Sequence, residues 1–139
     1  MNSITYGSGT KDDPWVLKTP PQSSEFQVWR DAARAALVVQ VGTTQLSYHL
    51  RCIEDLQAML QARGDWVLLG NADEGKPVTD GSVEAWARDA GNPVGGYYGL
   101  RKGYRGRFGN YVPPVLELLG LAEVEHNARN NRMRARLPD

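Results

Sequence analysis

Arginine, lysine, tyrosine and asparagine crowd the last third of the chain, NPVGGYYGLRKGYRGRFGNYVPPVLELLGLAEVEHNARNNRMRARL, residues 92–137. Between Tyr97 and Arg136 stand 8 basic residues against 3 acidic ones. Arg101, Lys102, Tyr104, Arg105, Arg107, Asn110 and Tyr111 are interleaved with glycines at 95, 96, 99, 103, 106 and 109. Cationic groups at this density can neutralise phosphates, and tyrosine rings can stack on unpaired bases. Glycine lets backbone amides approach an anion. The plainer reading is a surface insertion with half-buried tyrosines, in which glycine permits tight packing or a positive φ.

A second basic run follows at Arg129, Arg132, Arg134 and Arg136, with Asn130 and Asn131. Strand alternation places Arg132, Arg134 and Arg136 outward and Met133, Ala135 and Leu137 inward. Arg129, Asn130 and Arg132 are assigned to ligand contact. Arg134 and Arg136 fit a charged strand guarded against edge pairing, with Glu123 and Glu125 as cross-strand partners.

Signals for an enzyme are few. Asp65, Glu74 and Lys76 have the Asp…Glu-x-Lys spacing of a nuclease-type metal site, but Gly75 and Pro77 break the strand such a site needs. His49 and Cys52 have no second ligand pair. They read as a strand residue and a core thiol. His126, beside a polar turn, is a surface histidine that could meet Glu125 or a phosphate. Gly7-Ser8-Gly9-Thr10-Lys11 has neither the spacing nor the preceding strand of a phosphate loop. No Gly-x-Ser-x-Gly is present. No catalytic residue, metal site or cofactor is assigned.

The bulk composition sets the frame for these groups. A chain of 139 residues with 41% hydrophobic and 23% charged residues has the make-up of one globular domain. Net charge is zero, yet residues 1–79 hold 7 basic and 9 acidic groups and residues 80–139 hold 9 and 7. The asymmetry allows a polyanionic partner without requiring one. The single cysteine permits no internal disulfide, which suits a reducing compartment. No apolar run approaches membrane-spanning length and no secretory leader is evident, so a cytoplasmic location without membrane contact is expected.

The positioning elements follow from periodicity. Residues 1–13 read as a loose leader. Trp15–Leu17 is a short apolar run ended by Pro20-Pro21. Phe26, Trp29, Ala32, Ala33 and Ala36 give helical spacing over Ser24–Ala36, with Ser23 or Ser24 as N-cap. Leu37–Val41 and Gln45–Leu50, joined at Gly42-Thr43-Thr44, predict a β-hairpin. Cys52, Ile53, Leu56, Met59 and Leu60 form one face of a helix over Arg51–Arg63, stopped by Gly64. A strand is predicted at Trp66–Leu69, and a helix over Val83–Ala90 capped by Ser82 and ended by Gly91-Asn92-Pro93. Gly95–Gly109 is too glycine-rich for a long helix and reads as irregular, or as one broken helix. A helix starts near Val112 or Pro113 and ends at Gly120. Two strands around Ala128–Asn131 close the chain. The four tryptophans, Trp15, Trp29, Trp66 and Trp86, read as core. The whole is an α+β single domain with an N-terminal helix and β-hairpin packed on the C-terminal part.

From Arg51 onward the order helix, strand, helix, helix, strand, turn, strand resembles the winged-helix variant of the helix-turn-helix. VLELLGLAEVEHNARNNRMRARL resembles a third helix and its two-stranded wing, and the likeness covers roughly residues 51–137. It implies a third helix set against the DNA major groove and a wing along the backbone or minor groove. In many members it implies protein contact instead. Two features depart from the pattern. About twenty residues separate the second and third helices, and Glu117 is the third helix's one charge, where base readout uses Arg, Lys, Asn or Gln. The whole chain also resembles a small uncharacterised bacterial family, in stretches such as RGRFGNYVPPVLELLGL, a likeness that carries no function.

The expectation is a non-enzymatic protein binding DNA or single-stranded nucleic acid mostly through backbone contacts. The alternative is a protein-interaction adaptor of the same shape, with a protein partner or a second copy of itself and no DNA contact.

Overall fold

The computed structural model describes residues 7–136. The N-terminal half is a four-stranded antiparallel meander in sequential order: β1 (Trp15–Lys18), β2 (Glu25–Asp31), β3 (Ala36–Val41) and β4 (Thr44–His49). Its register lines up Trp15, Val28, Val39 and Leu46 across the sheet. These four, with Leu17, Phe26, Leu37 and Tyr48, form the core face. The opposite face carries only a small cluster of Trp29, Ala36 and Val38. The hairpin predicted at Leu37–Leu50 is present as β3 and β4.

The helix predicted over Ser24–Ala36 is not. Phe26 and Val28 are buried and alternate with exposed Glu25 and Gln27, the period of a strand. Trp29, three residues after Phe26, sits on the opposite face and not on a shared helical stripe. Ala32–Ala35 form the turn into β3, closed by Ala35 N–H donating to Ala32 O, with Ala35 at φ 50°. Ladders on both sides of β2 outweigh the helical propensity of Ala32, Ala33, Ala35 and Ala36. The loose leader is also corrected over 7–13. Ser8, Gly9 and Thr10 amides converge on Asp13 O, and Gly9 O accepts from Arg30 N on β2. Residues 1–6 lie outside the described part.

The C-terminal half begins with α1 (Cys52–Arg63), which buries Cys52, Leu56 and Leu60 and ends at Gly64 in the left-handed region. β5 (Val67–Leu68) follows, then α2 (Val83–Trp86), where the Ser82 hydroxyl accepts from Ala85 N. This helix is one turn long, where sequence spacing predicts two. Its continuation is a set of turns tied by Asn92, whose amide donates to Trp86 O and Gly96 O. α3 (Phe108–Tyr111) and α4 (Pro113–Leu118) follow, with both prolines in the first turn of α4, where missing amides cost nothing. β6 (Ala122–Val124) and β7 (Arg132–Ala135) close a second antiparallel sheet in which β7 lies between β5 and β6. The protein is α+β. Both sheets and α1, α3 and α4 share one hydrophobic core.

Gly95–Gly109 is irregular, as its glycine content predicts, but it is not loose. Tyr98 is fully buried, His49 N–H donates to Tyr98 O, and Leu100 N–H donates to Ser47 O. The segment therefore runs along the open side of β4 and covers that edge.

Candidate interaction surface

The segment from Tyr97 to Asn110 is folded over an acidic loop that the chain presents 30 residues earlier. Glu74 is the centre of this contact. Its carboxylate accepts from Arg105 N (2.8 Å), Nε (2.9 Å) and Nη2 (2.9 Å), and from Gly103 N (3.1 Å). The Arg105 guanidinium and these amides hold its carboxyl down at about 2. Beside it, Arg107 makes a two-pronged contact with Asp73. Arg88 closes the loop from behind, donating to the carbonyls of Lys76, Ala72 and Asp73. The ring of Tyr97 lies under both Arg88 and Arg105, at 5.0 and 4.6 Å, and its hydroxyl accepts from Gly75 N.

The chains approach so closely here that side chains are excluded. A Cβ on Gly106 would stand 2.3 Å from Glu74 N, and one on Gly109 would stand 2.6 Å from Leu69 O. Both glycines are needed for packing of backbone on backbone, the plainer of the two readings. Below them, the buried Glu84 carboxylate accepts from Gly109 N (2.8 Å), Phe108 N (3.2 Å) and Arg88 Nη2 (3.3 Å). Burial pushes its carboxyl up, against the pull of the amides and Arg88.

The ten residues assigned to ligand contact are thus divided. Arg105 and Arg107 spend their guanidiniums on Glu74 and Asp73. Tyr111 is buried, its ring edge-on to Phe26 at 5.0 Å, so it is a core residue and cannot stack on a base. Arg132 pairs with Glu125 at 2.7 Å. Arg101 lies 4.1 Å over the exposed ring of Tyr104 and donates to Gln45 O, with Lys102 exposed beside them. Asn110, Arg129 and Asn130 come together along one cleft of about 370 Å³ between the β6–β7 turn and the start of α3. The structure therefore makes two separate surfaces from the ten, not one.

On the second sheet, Arg134 meets Glu123 at 3.1 Å, the cross-strand pairing that alternation predicts. Arg132 and Arg134 also cover the ring of Trp66, at 5.2 and 4.5 Å. Trp66 is accordingly a half-buried surface ring and not core. Trp86 is half-buried too, stacked on Tyr98 at 5.1 Å.

His126 differs from its expected role. It meets neither Glu125 nor open solvent alone: Nε2 lies 2.6 Å from Glu117 on α4, and Nδ1 lies 2.8 Å from Pro20 O and 3.0 Å from the Gln22 amide, both in the β1–β2 turn. Asp65 accepts from Trp66 N and Glu74 is committed to Arg105, so the two carboxylates of the nuclease-like spacing are each bound to other groups. Among the described residues, no group of three or more His, Cys, Asp and Glu could hold a metal ion. Cys52 is fully buried, which raises its thiol pKa. No helix of the described residues is long and apolar enough to cross a membrane.

Residues 7–136 match the family model described as Family of unknown function (DUF6855). The chain belongs to DUF6855. No curated protein and no solved structure matches it. For this DUF6855 chain, then, the arrangement of its own side chains is the guide to function. Sequence spacing missed Asp73, Glu84, Arg88 and Tyr97, and it raised Glu74 only as part of a metal-site spacing, not as the partner of Arg105. The one available signal was the acidic pair Asp73-Glu74 in a polar loop, a counterweight to the basic segment.

Proposed function

We propose that this chain is a non-enzymatic protein-interaction module of winged-helix shape that makes no specific DNA contact. The shape reading rests on the sequence of elements α1, β5, α2, α3–α4, β6 and β7, with β7 central in its sheet. The observation that carries the functional reading is charge neutralisation within the molecule. Arg105, Arg107, Arg132 and Arg134 each face a carboxylate at 3.1 Å or less. A cation already paired with a carboxylate releases fewer counterions on meeting a phosphate, so the electrostatic drive toward nucleic acid is weak. α4 adds an acid, Glu117, and no donor for base edges.

A second reading, backbone contact with nucleic acid, is favoured by the shared cleft of Asn110, Arg129 and Asn130. Arg129 has no ion pair or hydrogen bond among the described residues. A salt series with duplex and single-stranded DNA separates the two. The module reading expects no saturable binding at low salt. Binding that weakens steeply with salt, and that is lost when Arg129 is changed to Ala, establishes the second reading instead.

A further inference from the structure

The first sheet has one edge covered and, among the described residues, one edge without a partner strand. β4 is lined by residues 98–100, whereas β1 ends the sheet with no strand beside it among the described residues. The direction of its backbone groups follows from the ladder. Thr19 N–H donates to Ser24 O, in the register that pairs Trp15 with Val28 and Leu17 with Phe26. Odd-numbered residues therefore bond to β2, and Val16 and Lys18 turn their N–H and C=O groups outward. The structure gives these four groups no partner within the described chain. Among the described residues, Val16 is also one of four large hydrophobic residues left exposed. Along the same edge runs a cleft of about 570 Å³ between β1 and α4, with Leu17, Pro114 and Leu118 in its lining.

We infer that β1 is a self-association edge, and that two copies of the chain pair their β1 strands antiparallel to make one continuous eight-stranded sheet. The inference uses none of the arginines weighed above and stands whether or not nucleic acid is bound. A second copy fits because the edge is self-complementary in one register. Val16 set against Lys18 of the other copy forms four hydrogen bonds, all inside the two strands, about a two-fold axis at Leu17. A shift of two residues either way brings Pro14 or Pro20, which have no N–H, into the ladder. One of these shifts also sets Lys18 against its own charge. In the favoured register the lysine stem lies over the exposed Val16 of its mate. The two Leu17 side chains meet on the core face, where each reaches toward the cleft over Pro114 and Leu118. The strand is short, so the dimer is weak, with a dissociation constant on the order of tens of micromolar.

Two measurements on the full chain decide this. Sedimentation of the native protein from low micromolar to about millimolar concentration is expected to show a monomer–dimer equilibrium. Val16→Pro removes an outward N–H that makes no bond to β2, so it is expected to keep the fold, seen by circular dichroism, and to weaken dimerisation at least tenfold. Leu17→Cys tests the register without a loss of stability being decisive. Facing residues in a non-hydrogen-bonded pair lie about 4.5 Å apart at Cα, within disulfide reach. It is expected to cross-link to dimer under mild oxidation, while Val16→Cys, whose mate lies two residues away, does not. The inference is overturned by a monomer at every concentration, by a dimer indifferent to Val16→Pro, or by cross-linking through Val16→Cys in preference to Leu17→Cys.

Discussion

Glu74 and Arg105 are joined by a two-pronged side-chain pair, Oε1 to Nε and Oε2 to Nη2 at 2.9 Å each, reinforced by the Arg105 amide on the same carboxylate. The pair fastens the acidic loop to the glycine-rich segment and takes a positive charge out of play. The pH dependence follows from the direction of the shift. The folded carboxyl, near 2, is below its ordinary value of 4.5, so the folded state favours the ionised form. Its contribution is complete above about pH 4.5 and is lost as pH falls toward 2. Urea unfolding followed from pH 7 to pH 2 should show this loss, and Glu74→Gln should flatten that part of the curve while lowering stability at pH 7. An unchanged acid limb in the variant would refute it.

Glu84 behaves in the opposite sense. Burial raises its carboxyl above the ordinary value, so its contribution to stability declines as pH rises through the interval between the two values. Removing it altogether is still costly. Glu84→Ala leaves the Phe108 and Gly109 amides without their acceptor and Arg88 without its anion, in a site that is 1% exposed. A loss of about 3–5 kcal/mol is expected by chemical denaturation, the range for one partner of a buried pair. Glu84→Gln, which retains an acceptor oxygen, should lose less.

Gly106 and Gly109 give a steric prediction independent of charge. A methyl group at either position meets backbone atoms of the 69–74 segment, which cannot rotate away. Gly106→Ala and Gly109→Ala should each cost about 1–3 kcal/mol through forced backbone shifts. Gly42, where the added carbon meets nothing within 4 Å, is the control and should cost less, through its positive φ alone.

Much of this fold is written in short-range periodicity, and that part was legible. α1 shows its stripe of Cys52, Leu56 and Leu60 at helical spacing, and the β3–β4 hairpin shows a valine-rich first strand and, after Gly42, the alternation of Leu46 and Tyr48 with polar residues. The prolines at the start of α4 and the alternation of Arg132, Met133 and Arg134 worked in the same way. β2 failed because Phe26 and Trp29 face opposite sides of a sheet, yet their spacing of three also fits one side of a helix. Only the neighbours β1 and β3 decide between the two, and no local window contains them. The surface was less legible for a similar reason. Arg105 and Arg107 look like free cations in sequence because their carboxylates lie 31 and 34 positions away. Tyr111 looks like a stacking ring until Phe26, from the first sheet, is placed against it.

His126 ties together parts of the chain that periodicity describes separately. Its ring stands between Glu117 on α4 and the Pro20 and Gln22 groups of the β1–β2 turn, so it joins the first sheet to the C-terminal half. Burial lowers its pKa, but the hydrogen bond to Glu117 and the Pro20 carbonyl outweigh burial, and the net shift is upward. With both ring nitrogens protonated, Nε2 donates to the carboxylate and Nδ1 to the carbonyl. A raised folded value means that the contribution is fully present below the unfolded value of 6.5 and is lost as pH rises through the folded value. Stability should therefore decline across that interval in the native protein, and the decline should vanish in His126→Gln and shrink in Glu117→Gln. Titration of the His126 ring protons by NMR checks the same point directly: a midpoint at or below 6.5 would show that the imidazolium does not hold the two halves together.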